Sequence, residues 1–217
     1  MAITVHAPEI APVAEDLLAR WRAVPVPVAV DLVPERQIDP AIRPLLPPGV
    51  QPALFGRAVT VRCDPPDFGA VVRALPLVGP GRVLVIDAAG DPVTAMIGDV
   101  LGGQLHRQGA GGLVCEGAIR DVNGLAAMTG LAAWSRSLTP RGPTSAAGGE
   151  VNGTVVIGGC TVSPGDLLLG DNDGLVALPP ALLPALIDKA EAKIALEAEW
   201  TARLAAGEDP RVIFGLP

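Results

Sequence analysis

The sequence predicts an α/β fold, and three stretches carry that prediction. Residues 82–87 (RVLVID) form a nearly continuous apolar run of strand length, as a strand buried on both faces requires. Residues 98–137 alternate as helix, strand, turn, helix and strand, an order that builds a sheet through helical crossovers. Residues 180–206 place Leu183, Ile187, Ala190 and Ile194 at 4-3-4 spacing, the apolar stripe of a long C-terminal helix that Gly207 stops.

The remaining elements follow in chain order. Pro12 opens a short helix over 12–24, with Leu17, Leu18 and Trp21 at helical spacing. Residues 25–53 are rich in proline and predict a wandering covering segment or subunit contact, not a regular element. Residues 56–63 (GRAVTVRC) alternate as a strand, 67–75 predict a helix, and Gly79-Pro80-Gly81 a turn. Gly98-Asp99-Val100-Leu101 opens a helix reaching about Gln108, which Gly109-Ala110-Gly111-Gly112 breaks. A short strand over 113–116, a tight turn over 117–121 (GAIRD), a small helix over 122–130 and a strand over 131–137 follow. Residues 151–178 read as a β-rich lobe of short strands, with Pro164-Gly165-Asp166 and Asp173-Gly174 as hairpin turns. The chain thus divides into an N-terminal helix and proline-rich cover (12–55), a body (56–178) and a C-terminal helix (180–207), all within one domain spanning 1–217.

Composition narrows the function. The chain has 217 residues, 49% apolar and 18% charged, with no Tyr, which favours a densely packed body. Its apolar surface is either covered by further copies of the chain or simply the mark of an alanine-rich composition. A net charge of −7 disfavours nucleic-acid binding, and it means that any anion site must be built locally. Cys63, Cys115 and Cys160 are odd in number and form no CxxC pair, so they read as small buried hydrophobes. No basic leader precedes an apolar run and no stretch approaches a membrane span, so a cytoplasmic protein is expected. Two histidines, His6 and His106, exclude a histidine-rich metal site, and His106 reads as structural. The two lysines, Lys189 and Lys193, lie far from the informative middle, which argues against a Schiff-base mechanism. The GxG pieces at 109–112 and 147–149 lack the strand–GxGxxG–helix context of a dinucleotide site.

Two pairs of residues can carry chemistry. Arg120-Asp121 follows an apolar strand, and in open sheets ligands bind beyond the carboxyl ends of strands. A carboxylate there suits a hard cation, and a guanidinium beside it suits a carboxylate or a developing oxyanion. The same pair also reads as a solvated surface ion pair. Gly98-Asp99 opens a helix, whose N–H groups can face an anion; alternatively, Asp99 merely caps its own helix. Asp99 precedes Arg120 by 21 positions, about one helix and one returning strand, so both can share a loop cluster.

Asp99, twenty intervening residues and Arg120-Asp121 resemble the D-x20-R-D signature of the class II aldolases that cleave 4-hydroxy-4-methyl-2-oxoglutarate or 4-carboxy-4-hydroxy-2-oxoadipate. These form one family with the regulator of ribonuclease E activity A (RraA-like) proteins. GRAVTVRC, GPGRVLVID, GDVLGGQLHRQGAGGLVCEGAIRDV, SRSLTP, VSPGDLLLGDNDGLVALP and ARLAAG are similar to family blocks and stand in family order, over about residues 15–207. The resemblance implies a swivelling layered β/β/α fold and a homotrimer or hexamer. It also implies a lyase that releases pyruvate through an enolate. The backbone of Gly98, Asp99, Val100 and Leu101 would hold the substrate carboxylate, and Arg120 would contact the pyruvyl oxygen. Asp121 would be the one direct protein ligand of Mg²⁺ or Mn²⁺, and Asp99 would hold a metal-bound water that assists proton transfer. An acid from a neighbouring subunit is also implied, with Glu197 the best match and Glu199 its competitor.

The sequence departs from the family pattern at three places. Glu116 stands where Asp is frequent, Pro65-Pro66-Asp67-Phe68 stands where an Asp-Asn pair is expected, and Gly102-Gly103-Gln104 is poor helix-forming sequence. Oxaloacetate decarboxylation is an implied side reaction, since loss of CO₂ yields the same enolate. It could also be the main one. A non-catalytic, protein-binding regulator of a ribonuclease is the reading from another class.

Overall fold

The computed structural model describes residues 2–216. Its strands are β1 (Thr4–Val5), β2 (Arg43–Pro44), β3 (Leu54–Arg62), β4 (Arg82–Asp87), β5 (Ala95–Ile97), β6 (Gly112–Ile119), β7 (Ala132–Leu138), β8 (Glu150–Val151), β9 (Val155–Ile157), β10 (Cys160–Val162), β11 (Leu167–Gly170) and β12 (Leu175–Leu178). Its helices are α1 (Glu15–Arg22), α2 (Val26–Leu32), α3 (Gly69–Ala74), α4 (Asp99–Arg107), α5 (Val122–Ala126), α6 (Leu183–Ala205) and α7 (Pro210–Ile213).

Strands β3, β4, β6 and β7 are parallel neighbours in that order. Spatial order therefore follows chain order, and the crossovers drop α3, α4 and α5 onto one face of the sheet. That face is sealed by one apolar cluster, which includes Val71, Leu84, Ile86, Leu105 and Leu125. The opposite face carries Val83, Val85, Val114 and Trp134, covered by residues of β9 to β12. Side chains alternate along the β11–β12 hairpin. Leu168, Leu175 and Ala177 join that middle core, whereas Leu167, Leu169, Val176 and Leu178 face Trp21, Val28, Ile187 and Ala190 of α1, α2 and α6. The result is a mixed α/β body in layers: helices, parallel sheet, β-rich layer and then the long C-terminal helix with its companions.

Two sequence expectations are corrected. The strand expected over 113–116 runs to Ile119, so residues 117–119 are strand and not turn. Gly117 makes this possible. At φ +159, where a Cβ would lie 2.8 Å from Ala88 Cβ, the strand exchanges β4 for β5 as its neighbour. Within the proline-rich cover, Val26–Leu32 is a regular helix, because Pro27 sits in its first turn, where no N–H is needed. The β-rich 151–178 segment joins the main sheet, since β11 pairs with β3. Gly102 of α4 is explained by packing: a Cβ there would collide with Leu125 Cδ2 of α5. No helix among the described residues is long and apolar enough to cross a membrane.

Candidate active site

Strand β5 lies parallel to the end of β6, with Ile97 opposite Ile119. The next residues of both strands therefore emerge side by side at the carboxyl edge of the sheet. After β5 come Gly98 and Asp99, the N-cap and first residue of α4; after β6 come Arg120 and Asp121. The Arg120 N–H donates to the Ile97 carbonyl at 3.1 Å, pinning the two exits together. Asp121 takes a left-handed conformation, φ 54°, that bends the chain sharply into α5.

The expected pairs thus meet. Arg120 Nε lies 3.2 Å from Asp121 Oδ2, and the Asp99 N–H donates to the same oxygen at 3.4 Å. The side chains of Arg120 and Asp121 are 39% and 38% exposed, so a ligand can reach both. They stand between two clefts. One, of about 330 Å³, is walled by Phe68, Met96, Leu101 and Pro143. The other, of about 580 Å³, is bordered by Asp99, Asn123, Gly124 and Thr139.

The α4 N-terminus is open. Gly98 offers no side-chain cap, and Asp99 lies inside the helix, so it does not cap it. The Gly102 N–H bonds to the Gly98 carbonyl at 2.9 Å, which leaves the N–H groups of Val100 and Leu101 without a backbone acceptor among the described residues. Both residues line the smaller cleft beside Arg120.

Three glycines shape the centre, and sequence reasoning singled out one of them. A Cβ at Gly98 would collide with Asp121 Oδ2 and come within 2.9 Å of Arg120 Cγ. A Cβ at Gly142 would collide with Arg120 Nη1, so the guanidinium packs close against that glycine. A Cβ at Gly124 would stand 2.6 Å from Asp99 Cβ. Gly142 sits in TPRGP, whose turn character is legible in the sequence although its neighbour is not.

Asp67 supports the cleft wall. Its carboxylate accepts from the Ser145 hydroxyl, from Gly69 N–H at 2.8 Å and from Ala147 N–H at 2.9 Å. Desolvation pushes its pKa up, but these bonds outweigh it and hold the group at about 2. The bonds tie the start of α3, and Phe68 with it, to the 145–147 segment.

Other expected residues lie elsewhere. Glu116 turns away from the clefts and pairs with Arg136, which also donates to Asp39 at 3.0 Å. His106 bonds the Thr129 carbonyl at 2.9 Å, a structural tie between the α4 end and the loop after α5. Cys63, Cys115 and Cys160 are free and buried, and burial pushes the Cys63 thiol up to about 12. Glu197 lies on α6, 3.4 Å from Lys193, and Glu199 lies 3.4 Å from Arg203. Helix α6 belongs to the layer over β11–β12, so the single chain does not bring either acid to Arg120.

This fold is that of a layered α/β protein, with a guanidinium–carboxylate pair at the exits of β5 and β6. The chain belongs to the RraA-like family: residues 27–177 match its family model, described as Aldolase/RraA. A Halalkalibacterium halodurans protein named "Putative 4-hydroxy-4-methyl-2-oxoglutarate aldolase" is 31% identical over 179 residues, covering 82% of this chain and 83% of that protein. An Ectopseudomonas mendocina protein of the same name is 34% identical over 134 residues, 62% of this chain and 82% of its own. Among solved structures, Streptomyces coelicolor RraAS2, described as an unusual member of the RNase ES inhibitor RraA family, matches with a TM-score of 0.78 and 27% identity. That match covers 89% of this chain and 100% of RraAS2. An uncharacterized protein from Pseudomonas syringae pv. tomato shares the fold at a TM-score of 0.81 and 23% identity, over 96% of this chain and 97% of its own.

Proposed function

We propose that this chain is a divalent-metal-dependent lyase that cleaves a 4-hydroxy-2-oxo acid of the 4-hydroxy-4-methyl-2-oxoglutarate type and releases pyruvate. The observation that carries the reading is the meeting of Arg120 and Asp121, 3.2 Å apart, with the uncapped start of α4 at the rim of a cleft.

The donors present fit a hard cation such as Mg²⁺ or Mn²⁺. Asp121 offers an exposed carboxylate whose Oδ1 takes no hydrogen bond among the described residues, and such ions favour few protein oxygens with water completing the shell. Asp121 would hold the ion, which supplies Lewis acidity at the substrate's keto oxygen. The protein's own groups do the rest. The N–H groups of Val100 and Leu101 receive the 2-oxo acid's carboxylate, favoured by the helix dipole. Arg120 directs its terminal amino groups at the keto oxygen as negative charge develops there. Asp99 accepts the proton of the 4-hydroxyl through an intervening water. The C3–C4 bond then breaks, its electron pair passes into the enolate of pyruvate, and a second carbonyl product leaves. Protonation at C3 completes the turnover. Oxaloacetate would lose CO₂ to give the same enolate, so decarboxylation is expected as a side activity. A homotrimer or hexamer would present Glu197, or Glu199, of a second copy near the same proton.

Pyruvate release from 4-hydroxy-4-methyl-2-oxoglutarate, measured with EDTA and after restoring Mg²⁺ or Mn²⁺, tests the proposal. Turnover abolished by EDTA and restored by metal is expected; equal turnover in EDTA overturns metal dependence. A second reading, a protein-binding regulator, is supported by the description of a Thermus relative as an RNA-processing inhibitor. Absence of turnover of either oxo acid, together with inhibition of a ribonuclease, would favour it.

A further inference from the structure

At the opposite, amino ends of the strands lies a second concentration of charge that the lyase reading does not use. Arg57 of β3 and Arg82 of β4 are direct register partners in the parallel pair. Both line one cavity of about 310 Å³, together with Arg22 of α1. Like charges placed opposite each other on neighbouring strands repel, so such a pair calls for an anion between them. This chain has a net charge of −7, yet it gathers three arginines here against one lining acid, Glu15.

We propose that this cavity binds a small phosphate-class dianion between the guanidinium groups of Arg22, Arg57 and Arg82. The three groups are presented, not spent. Arg57 is fixed in place by donating Nε to the Gly165 carbonyl and Nη2 to the Ala11 carbonyl, each at 2.7 Å, and its Nη1 has no acceptor among the described residues. Arg22 lies over the Phe55 ring, 4.2 Å from its centroid, which orients the planar fork without neutralising it. Neither Arg22 nor Arg82 makes an ion pair among the described residues. The remaining acid near Arg57, Asp166, is tied to Arg36 at 3.3 Å and to the Ser163 N–H at 3.1 Å. Burial and the Arg82 charge both push the Arg57 pKa down, a cost that a bound dianion would offset. Three positive charges against Glu15 leave a surplus of about two, the charge of a phosphate near neutrality. The volume admits a phosphate carrying a small organic group. Bidentate guanidinium–oxyanion pairs give the geometry its selectivity.

The test is calorimetric titration of the purified oligomer with inorganic phosphate and with glycerol 3-phosphate, at constant ionic strength and without divalent metal. An Arg120→Ala background removes competition from the candidate active site. Binding that persists in Arg120→Ala and weakens at least about tenfold in both Arg22→Gln and Arg82→Gln is expected, with pyruvate release by those two variants unchanged. Tighter binding of glycerol 3-phosphate would identify a phosphate ester as the occupant, and equal binding would identify free phosphate. No binding of either probe would overturn the proposal, as would binding lost in Arg120→Ala but intact in Arg22→Gln and Arg82→Gln.

Discussion

Arg120 and Asp121 are neighbours in sequence, but the guanidinium is set by the Gly142 backbone and the carboxylate by its left-handed turn. Replacing Arg120 by Ala removes the donor at the keto oxygen, and a fall of at least about 10²-fold in kcat/KM is expected. Near-ultraviolet circular dichroism should not change, since the side chain's one ion pair among the described residues is with its own neighbour, Asp121. Gly98→Ala makes a sharper test. Gly98 has an extended backbone, φ −139°, that alanine adopts without backbone strain. The added methyl would overlap Asp121 Oδ2 and crowd the Arg120 stem at Cγ, so the carboxylate and the guanidinium must both shift. A misplacement of about 1 Å can cost on the order of 10²-fold, so activity per folded molecule should drop steeply, with the folded fraction read by circular dichroism. Full activity in Gly98→Ala would mean that the carboxylate position is immaterial.

Each element's capping and packing decides how well it holds the cleft. Asp67 joins α3 to the 145–147 segment and keeps its carboxyl at about 2, below the usual value of 3.8. A depressed acid stabilises the fold fully above its unfolded value, and that contribution is lost as pH falls from about 4 through 2. Urea unfolding across this range should therefore show the wild type losing more stability than Asp67→Asn, the two converging near pH 2. Parallel curves would deny Asp67 its role. On α6, Ile187 is 2% exposed within the cluster that contains Trp21 and Leu178. Ile187→Ala should cost about 2–5 kcal/mol by denaturation, with little change in turnover per folded molecule.

At the scale of the whole molecule, the sheet's chain-ordered topology puts α4 and α5 on one face and α6 across the β-rich layer. Any contribution from Glu197 must then come from another copy. Mixing Arg120→Ala subunits with Glu197→Gln subunits, each expected to be impaired, should restore turnover through mixed sites. No gain above the separate variants would remove Glu197 from the mechanism. Such complementation depends on subunit exchange, which a native mass spectrum of the mixture would record directly.

By itself, the sequence determined what local periodicity and short-range chemistry control. The buried strand at 82–87, the helix opening at Gly98-Asp99, the long C-terminal stripe and the D-x20-R-D spacing all follow from side-chain order along the chain. The tertiary structure alone decided what depends on neighbours distant in sequence. Strand β5 was not legible because its three residues become strand only by pairing with β6. The strand through residues 117–119 reads as a turn until Gly117 lets β6 change partners. Gly124 and Gly142 gain meaning only when Asp99 and Arg120 arrive against them, since close approach is a property of two backbones in space and leaves no period in either.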